Sequence, residues 1–170
     1  AREEALVRLF ATQRPAGMIV AGIDQSAATR QVLAGMGCPV VQVMETGAEP
    51  VDMMIGSGQV EGARAVVRHM VEQGYRRIGF LGARMDPRAQ RRLQGYRQEL
   101  EAAGLAAPER VLTTPQPSAV TVGRRLMADF LALHPDADAV FCNNDDIALG
   151  AMFECVGRGI RVPAQMGIAG

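Results

Sequence analysis

Three arginines gather near the expected start of one helix, in the stretch GARMDPRAQRRLQGY at residues 82–96. Asp86 can cap that helix and Pro87 suits its first position, so these two residues predict where it begins. Arg88 and Arg92 stand four positions apart and would share one helix face. Cations are disfavoured at this end of the helix dipole. The cluster is either a solvated face or, as we favour, a site where guanidiniums bind a carboxylate or phosphate through paired hydrogen bonds.

A second polar group follows an apolar run, in CNNDD at residues 142–146. One Asn or Asp is enough to cap a helix, so part of this group could be purely structural. Four consecutive amides and carboxylates exceed that need, and together they can donate to and accept from the hydroxyls of a ligand. We expect Asn144 to face a binding site. Asp145 and Asp146 are expected to serve the helix start, where negative charge is stabilising.

Other motifs that could carry chemistry are weaker. GSGQVEG at residues 56–62 approaches the glycine fingerprint of dinucleotide-binding folds, but its third glycine comes one residue late. His69 and His134 are isolated from each other and from the cysteines, so we expect no metal site. No serine lies in a GxSxG elbow, and there is no lysine to form a Schiff base. The sequence therefore predicts a binding protein with no catalytic residues, metal or cofactor.

Charge is balanced, with 18 basic and 18 acidic residues among 170. Surfaces that wrap a phosphate backbone are strongly basic, so we expect any DNA contact to be made outside this stretch. No apolar run approaches the roughly 20 residues of a membrane-spanning helix. Cys38, Cys142 and Cys155 are odd in number, widely spaced and set in apolar surroundings. They predict reduced core thiols and a cytoplasmic setting.

Apolar segments of two kinds alternate along the chain. Short apolar runs predict strands at 16–22, 39–44, 51–56, 76–82, 110–114, 138–142 and 166–170. Helical spacing of apolar residues predicts helices at 3–13, 26–36, 60–73, 87–103, 118–133 and 144–157. The alternation predicts an α/β fold whose parallel sheets are covered by helices on both faces. Because the first residues read as helix interior and the last as a buried strand, we expect a fragment of a longer protein.

The longest motifs resemble a known family. They are GYRRIGFLGARMDPRAQRRLQGYRQELEAAGL at residues 74–105 and DAVFCNNDDIALGAMFECVGRGIRVPAQMGIAG at residues 138–170. With PAGMIVAG and CPVVQVM nearer the start, they resemble the effector-binding domain of LacI-family transcription regulators. The likeness combines an RRI strand, an RLxGY helix, an NDxxALGA turn and helix, and RGIRVP in the family's order. The stretch at residues 38–56 is similar to the gluconate-operon repressor branch.

The resemblance implies a periplasmic-binding-protein-like fold of two Rossmann-like lobes with parallel sheets, and a small effector bound between the lobes. Residues 1–58 would form part of the N-terminal lobe and residues 59–170 most of the C-terminal lobe. We expect the family's N-terminal helix-turn-helix, which binds operator DNA, to lie outside this chain. The helix at 144–157 resembles the family's subunit-contacting helix, which implies a homodimer.

The resemblance also implies where the effector binds. The family's effector-gripping arginine falls on Arg92, and the asparagine of its ND turn falls on Asn144. Arg88 falls on another position that lines the pocket in relatives, and Asp86 and Gln116 lie near it. Relatives often have an acidic residue at the position of Met44, and the role of that residue is carried over to the neighbouring Glu45. The implied effector is a small sugar acid such as gluconate, whose carboxylate would explain the guanidiniums. Its binding would alter operator affinity by a population shift, as expected of a repressor.

Two other functions share parts of this pattern. A periplasmic sugar-binding protein would have the same fold and pocket, but it should carry an export leader. An NAD(P)-dependent enzyme would have to bind its nucleotide through GSGQVEG. Titration with sugar acids and with NADPH would separate these functions.

Overall fold

Helices and strands alternate through the computed structural model, which describes residues 2–106 and 108–170. The chain divides into two units, Ala1–Gly58 and Gln59–Gly170. The first unit contains α1 (Arg2–Thr12), β1 (Met18–Ala21), α2 (Ala27–Ala34), β2 (Val40–Glu45) and β3 (Met53–Ser57). The second unit contains α3 (Gln59–Glu72), β4 (Ile78–Ala83), α4 (Pro87–Ala102), β5 (Val111–Thr114), α5 (Val120–Leu133), β6 (Ala139–Cys142), α6 (Asp145–Gly157) and β7 (Gly167–Ala169). Each predicted helix and strand is present, which confirms the α/β fold class.

Capping residues explain part of the difference between predicted and observed helix ends. Ser26, Asp86 and Asn144 each stand immediately before a helix with an extended backbone, and each accepts a hydrogen bond from the amide three residues later. A cap of this kind lies outside the helix itself, so α2 and α6 begin one residue after the predicted position. The sequence pattern therefore predicted these starts to within one residue.

A four-stranded parallel sheet in the order β5-β4-β6-β7 forms the centre of the second unit. Strand β4, one of its two central strands, is buried along its whole length. On one face, Phe80 and Phe141 share a core with Tyr96 of α4 and with residues of α3. On the other face, Leu81 shares a core with Phe130 of α5 and with residues of α6. Both faces of this sheet are thus covered by helices, as predicted.

Close packing of α5 on α6 requires a glycine at position 150. A Cβ atom added there would overlap the carbonyl oxygen of Val120, at the start of α5. The two helices approach with backbone against backbone at this point, which fixes the second turn of α6 close to the start of α5. The residues that precede these two helices lie at the carboxyl ends of β5 and β6, where parallel sheets bind ligands.

The first unit has a three-stranded parallel sheet in the order β1-β2-β3. Its core is formed by Val7, Val20, Leu33 and Val40. On the opposite sheet face, Ile19 is 74% exposed and Ile55 is 67% exposed. The prediction that helices cover both sheet faces is therefore wrong for the described residues of this unit. Strands that are apolar throughout indicate that both faces of the sheet are suited to burial. In this unit, however, α1 and α2 pack on the same face, so the other face stays exposed.

Candidate functional site

A hollow of about 210 Å³ opens beyond the carboxyl ends of β4 and β6, within the second unit. We call it the arginine hollow, and it is lined by Asp86, Arg88, Ala89, Arg92, Asn143 and Asn144. The first turns of α4 supply one part of the lining and the residues that follow β6 supply the other. The two polar groups that the sequence singled out, far apart along the chain, therefore meet at one site. This edge of a parallel sheet is where the fold class binds its ligands.

Arg92 is half-buried and held by two hydrogen bonds. Its Nε donates to Oε1 of Gln59 at 2.7 Å, and its Nη1 donates to the backbone carbonyl of Asn143. Gln59 begins α3 and Asn143 follows β6, so the guanidinium lies where three elements meet. A guanidinium fixed in this way can bind a carboxylate without first losing side-chain freedom.

The other arginines of the cluster divide between the hollow and the surface. Arg88 is half-buried and lines the arginine hollow one turn before Arg92. Arg84, in the loop after β4, is exposed and has a left-handed backbone with φ of 60°. Neither Arg84 nor Arg91 belongs to the lining. Of the clustered arginines, the structure therefore brings Arg88 and Arg92 together at the site.

Asp86 has the capping role that the sequence predicts. Its Oδ1 accepts a hydrogen bond from the backbone amide of Ala89 at 3.0 Å, and Pro87 occupies the first helical position. The carboxylate is half-buried and also lines the arginine hollow. It thus adds an acceptor beside the two guanidiniums, which suits a ligand that carries hydroxyl groups as well as an acid.

Asn144 also lines the hollow, but it caps α6 as well. Its Oδ1 accepts from the amide of Ile147 at 3.1 Å, and its Nδ2 donates to Oγ of Ser118 at 2.5 Å. The expectation that Asp145 and Asp146 serve the helix start is confirmed, while the cap itself is Asn144. A cap must precede the helix with an extended backbone, and both aspartates already lie in its first turn. There their negative charge is favoured by the helix dipole.

Asn143 is a site residue that the sequence did not single out. Its side chain is buried, with Oδ1 accepting from the amide of Ala83 at 3.2 Å and Nδ2 donating to the carbonyl of Ala83 at 2.9 Å. Its backbone carbonyl accepts from Arg92. The amide side chain thus continues the pairing of β6 with β4 past the last residue of the strand. The signal for it in the sequence is the first asparagine of CNNDD, directly before Asn144.

Two expected site residues lie outside the arginine hollow. Gln116 follows β5, is exposed, and accepts a hydrogen bond from Arg125 of α5. Glu45 is the last residue of β2, in the first unit, where it is only 1% exposed. The structure groups neither residue with the lining of the hollow, and their roles toward an effector stay predictions.

Other kinds of chemistry find little support in the described residues. Cys142 and Cys155 are buried and Cys38 is half-buried, all as free thiols. Burial raises the pKa of the Cys142 thiol, so this group is protonated at neutral pH. Residues 2–106 and 108–170 contain no cluster of three side chains suited to hold a metal ion. The same residues contain no helix of the length and apolar character needed to cross a bilayer.

Comparison with known proteins identifies the family. Residues 67–170 match the family model of the periplasmic binding protein-like domain. The chain is 33% identical over 168 residues to the HTH-type transcriptional regulator GntR of Pseudomonas aeruginosa, covering 99% of the chain and 49% of that protein. It superposes with a TM-score of 0.91 on a LacI family transcriptional regulator from Silicibacter pomeroyi, at 34% identity, covering 96% of the chain and 50% of that structure. The chain belongs to the LacI family of transcription regulators.

The LacI-family domain has a second close structural match. The transcription regulator GntR from Chromobacterium violaceum superposes with a TM-score of 0.89 at 36% identity, and the match covers 97% of the chain and 60% of that structure. The chain spans about half the length of the curated relatives it matches. These matches confirm the resemblance found in the sequence and the periplasmic-binding-protein-like fold.

The relatives of this LacI-family chain are transcription regulators and not enzymes. This finding confirms the expectation that the chain is not an enzyme, and it argues against reading GSGQVEG as a nucleotide site. It also favours the effector domain of a regulator over a periplasmic sugar-binding protein. In the structure, the GSGQVEG stretch ends β3 and begins α3.

Proposed function

We propose that this LacI-family domain senses a small sugar acid such as gluconate in the arginine hollow. The observation that carries the proposal is the pair of guanidiniums, Arg88 and Arg92, lining one hollow together with Asp86 and Asn144. Two cations one turn apart favour an anion, whereas the neighbouring carboxylate and amide favour hydroxyl groups. A sugar acid carries both kinds of group.

Arg92 would bind the carboxylate of the effector. Its hydrogen bonds to Gln59 and Asn143 hold the guanidinium in place before the ligand arrives. Asp86 and Asn144 would contact hydroxyls with the capacity that remains after capping, since each carboxylate or amide oxygen can accept more than one hydrogen bond. The proposal keeps Gln116 and Glu45 as further effector contacts.

The domain would act on DNA through a part of the protein outside this chain. The relatives are named as HTH-type regulators, and we propose that an N-terminal helix-turn-helix in the longer protein binds operator DNA in the cytoplasm. Residues 1–58 would belong to the N-terminal lobe and residues 59–170 to the C-terminal lobe, a division supported by the two units of the structure. The effector would change operator affinity by no more than its preference between two arrangements of the domain.

A homodimer through α6 is part of the proposal. Ile147, Ala151 and Cys155 of this helix are buried in the core of the second unit. An apolar stripe on its other face is 38–65% exposed and is formed by Leu149, Met152, Phe153 and Val156. Exposed apolar patches of this kind mark protein interfaces. Replacing Phe153 with Glu should shift the intact regulator towards monomer in sedimentation velocity, and an unchanged dimer would contradict this part of the proposal.

Ligand titration of the intact protein that carries this chain tests the proposed effector. D-Gluconate should bind saturably in isothermal titration calorimetry, whereas D-glucose, which lacks the carboxylate, should bind at least about tenfold more weakly. Gluconate should also change the affinity for operator DNA by about 5-fold to 150-fold. NADPH serves as the control for nucleotide binding. Binding of NADPH without binding of any sugar acid would refute the proposal.

A further inference from the structure

We propose that Gln59 is a positioning residue of the effector site, which holds the Arg92 guanidinium so that it meets a carboxylate through its terminal nitrogens. The inference rests on the proposed function and concerns a residue that is not among the effector contacts expected from the family resemblance. Gln59 is the first residue of α3 and is buried, with 9% of its surface exposed. Its Oε1 accepts the hydrogen bond from Arg92 Nε at 2.7 Å.

The donors of Arg92 show what this contact does. A guanidinium has five N–H groups, and it can bind a carboxylate either along the edge formed by Nε and one terminal nitrogen or across the two terminal nitrogens. Gln59 occupies the Nε donor, so the first arrangement is blocked. The Asn143 carbonyl uses one hydrogen of Nη1. With the Gln59 contact intact, a carboxylate therefore binds through the terminal nitrogens Nη1 and Nη2.

The packing of α3 on α4 fixes the place of Gln59. Gly95 lies one turn beyond Arg92 on the same face of α4, and a Cβ atom there would overlap the carbonyl oxygen of Val60 and lie 2.8 Å from Cβ of Ala63. A larger residue at position 95 would push the start of α3 away from α4. This close approach brings Gln59 within reach of Arg92.

An ion-pair cluster holds the same two helices together further along. Glu99, one more turn beyond Gly95, accepts from Arg64 Nε at 2.9 Å, from Arg68 Nε at 2.7 Å and from Arg68 Nη2 at 3.0 Å. One face of α4 thus meets α3 through a hydrogen bond, a glycine contact and an ion pair in succession. The position of Gln59 is therefore fixed by contacts at Gly95 and Glu99, two residues of α4 that do not line the arginine hollow.

This arrangement shows which residue of the motif GSGQVEG is important for the arginine hollow. Its glycines approached a nucleotide fingerprint, but the residue that matters for the hollow is the glutamine that opens α3. A glutamine is suited to this task because its neutral amide accepts from the guanidinium without cancelling the charge that attracts an acid. A glutamate would hold Arg92 equally well but would neutralise it.

Calorimetry on the intact protein tests the inference with D-gluconate as the probe. Gln59→Met removes the acceptor at nearly constant size, and we expect gluconate to bind about tenfold more weakly, the loss typical of a hydrogen bond to a charged group. Gln94→Met is the matched control, because Gln94 is an exposed glutamine on the same helix as Arg92. Its affinity should stay within about twofold of the unaltered protein.

A double-mutant cycle separates positioning from a general effect on the fold. Arg92→Lys keeps a cation but removes the planar fork, so weak binding should remain measurable. In that background Gln59→Met should change the affinity by less than about twofold, because the group it positions is gone. An equal loss in both backgrounds, or no loss from Gln59→Met alone, would overturn the inference while leaving the proposed function intact.

A ligand-independent measurement keeps the inference testable if gluconate is the wrong probe. Failure of the unaltered protein to bind gluconate would count against the proposed effector only. In a crystal structure of the ligand-free Gln59→Met protein, the Arg92 guanidinium should leave its contact with the Asn143 carbonyl or become disordered. An Arg92 side chain that keeps its conformation there would show that Gln59 does not position it.

Discussion

The guanidinium of Arg92, on α4, donates a hydrogen bond to the backbone carbonyl of Asn143, the residue that follows β6. The side chain of Asn143 is in turn bonded at both ends to the backbone of Ala83, the last residue of β4. The arginine is therefore positioned relative to the two central strands through backbone groups, which move little. This relationship makes the arginine hollow a preformed site.

Arg92→Ala should remove most of the affinity for a sugar acid. Loss of a partly buried, hydrogen-bonded cation facing an anion typically costs at least about 2 kcal/mol, or about thirtyfold in affinity. Arg84→Ala is the control, because Arg84 is exposed and does not line the hollow. Calorimetric titration with gluconate measures both variants. Undiminished binding by the Arg92 variant would remove this residue from the site.

Asn144 should show separable effects on stability and binding. Asn144→Ala removes the cap of α6 and should lower the free energy of unfolding by about 1 kcal/mol, measured by urea denaturation. Asn144→Asp keeps a capping oxygen, so its stability should remain near that of the unaltered protein. The added negative charge beside Arg88 and Arg92 should nevertheless weaken gluconate binding. Equal loss of stability in both variants would contradict the capping role.

Gly150→Ala should destabilise the second unit. The added Cβ would overlap the Val120 carbonyl oxygen and force α5 and α6 apart, at a cost of about 1–3 kcal/mol that the better helix propensity of alanine offsets only in part. Gly157→Ala is the matched control on the same helix, since no atom lies within 4 Å of a Cβ there. That variant should be unchanged or more stable by up to about 1 kcal/mol. Urea denaturation of both variants checks the difference.

The ion pairs of Glu99 should make stability depend on acid pH. Hydrogen bonds from Arg68 and Arg64 hold the pKa of the Glu99 carboxyl below its usual range, despite the opposing effect of burial. The folded state therefore binds this proton less readily than the unfolded state does. The stabilisation is fully present above the unfolded pKa of about 4.3 and is lost as the pH falls through the lower folded pKa.

Glu99→Gln provides the test of that pH dependence. The variant should be less stable than the unaltered protein at neutral pH, and the difference in urea midpoint should shrink as the pH falls below about 4. Glu101→Gln serves as the control, because Glu101 is an exposed glutamate on the same helix. A difference that stays constant down to acid pH would show that the charge of Glu99 is not what stabilises the contact.

Local patterns in the sequence were enough to predict the helices and strands. Apolar runs such as that of β4 and helical spacing such as that of α3 are set by neighbours in the chain, so they can be read without knowing the tertiary contacts. The arginine cluster and the residues around Asn144 also met as expected, because the carboxyl ends of parallel strands share one edge of the sheet.

Contacts between elements could not be predicted in the same way. The hydrogen bond from Arg92 to Gln59 depends on how closely α3 packs on α4, which the sequence shows only as a glycine in an otherwise ordinary helix. The identity of the α6 cap depended on which of several neighbouring polar residues falls just before the first turn. The exposed face of the first sheet, which carries Ile19 and Ile55, results from the packing of α1 and α2 on the opposite face. The apolar composition of the strands does not show on which face a helix packs.

The exposed face of the first sheet affects how the polypeptide can be handled by itself. Ile19 and Ile55 present branched aliphatic side chains to water on the surface of a small sheet, and surfaces of this kind adhere to one another. When the 170-residue polypeptide is purified by itself, it should precipitate on concentration and should bind hydrophobic dyes. Replacing both isoleucines with threonine, which keeps the branching that strands favour, should yield a preparation that stays clear during storage.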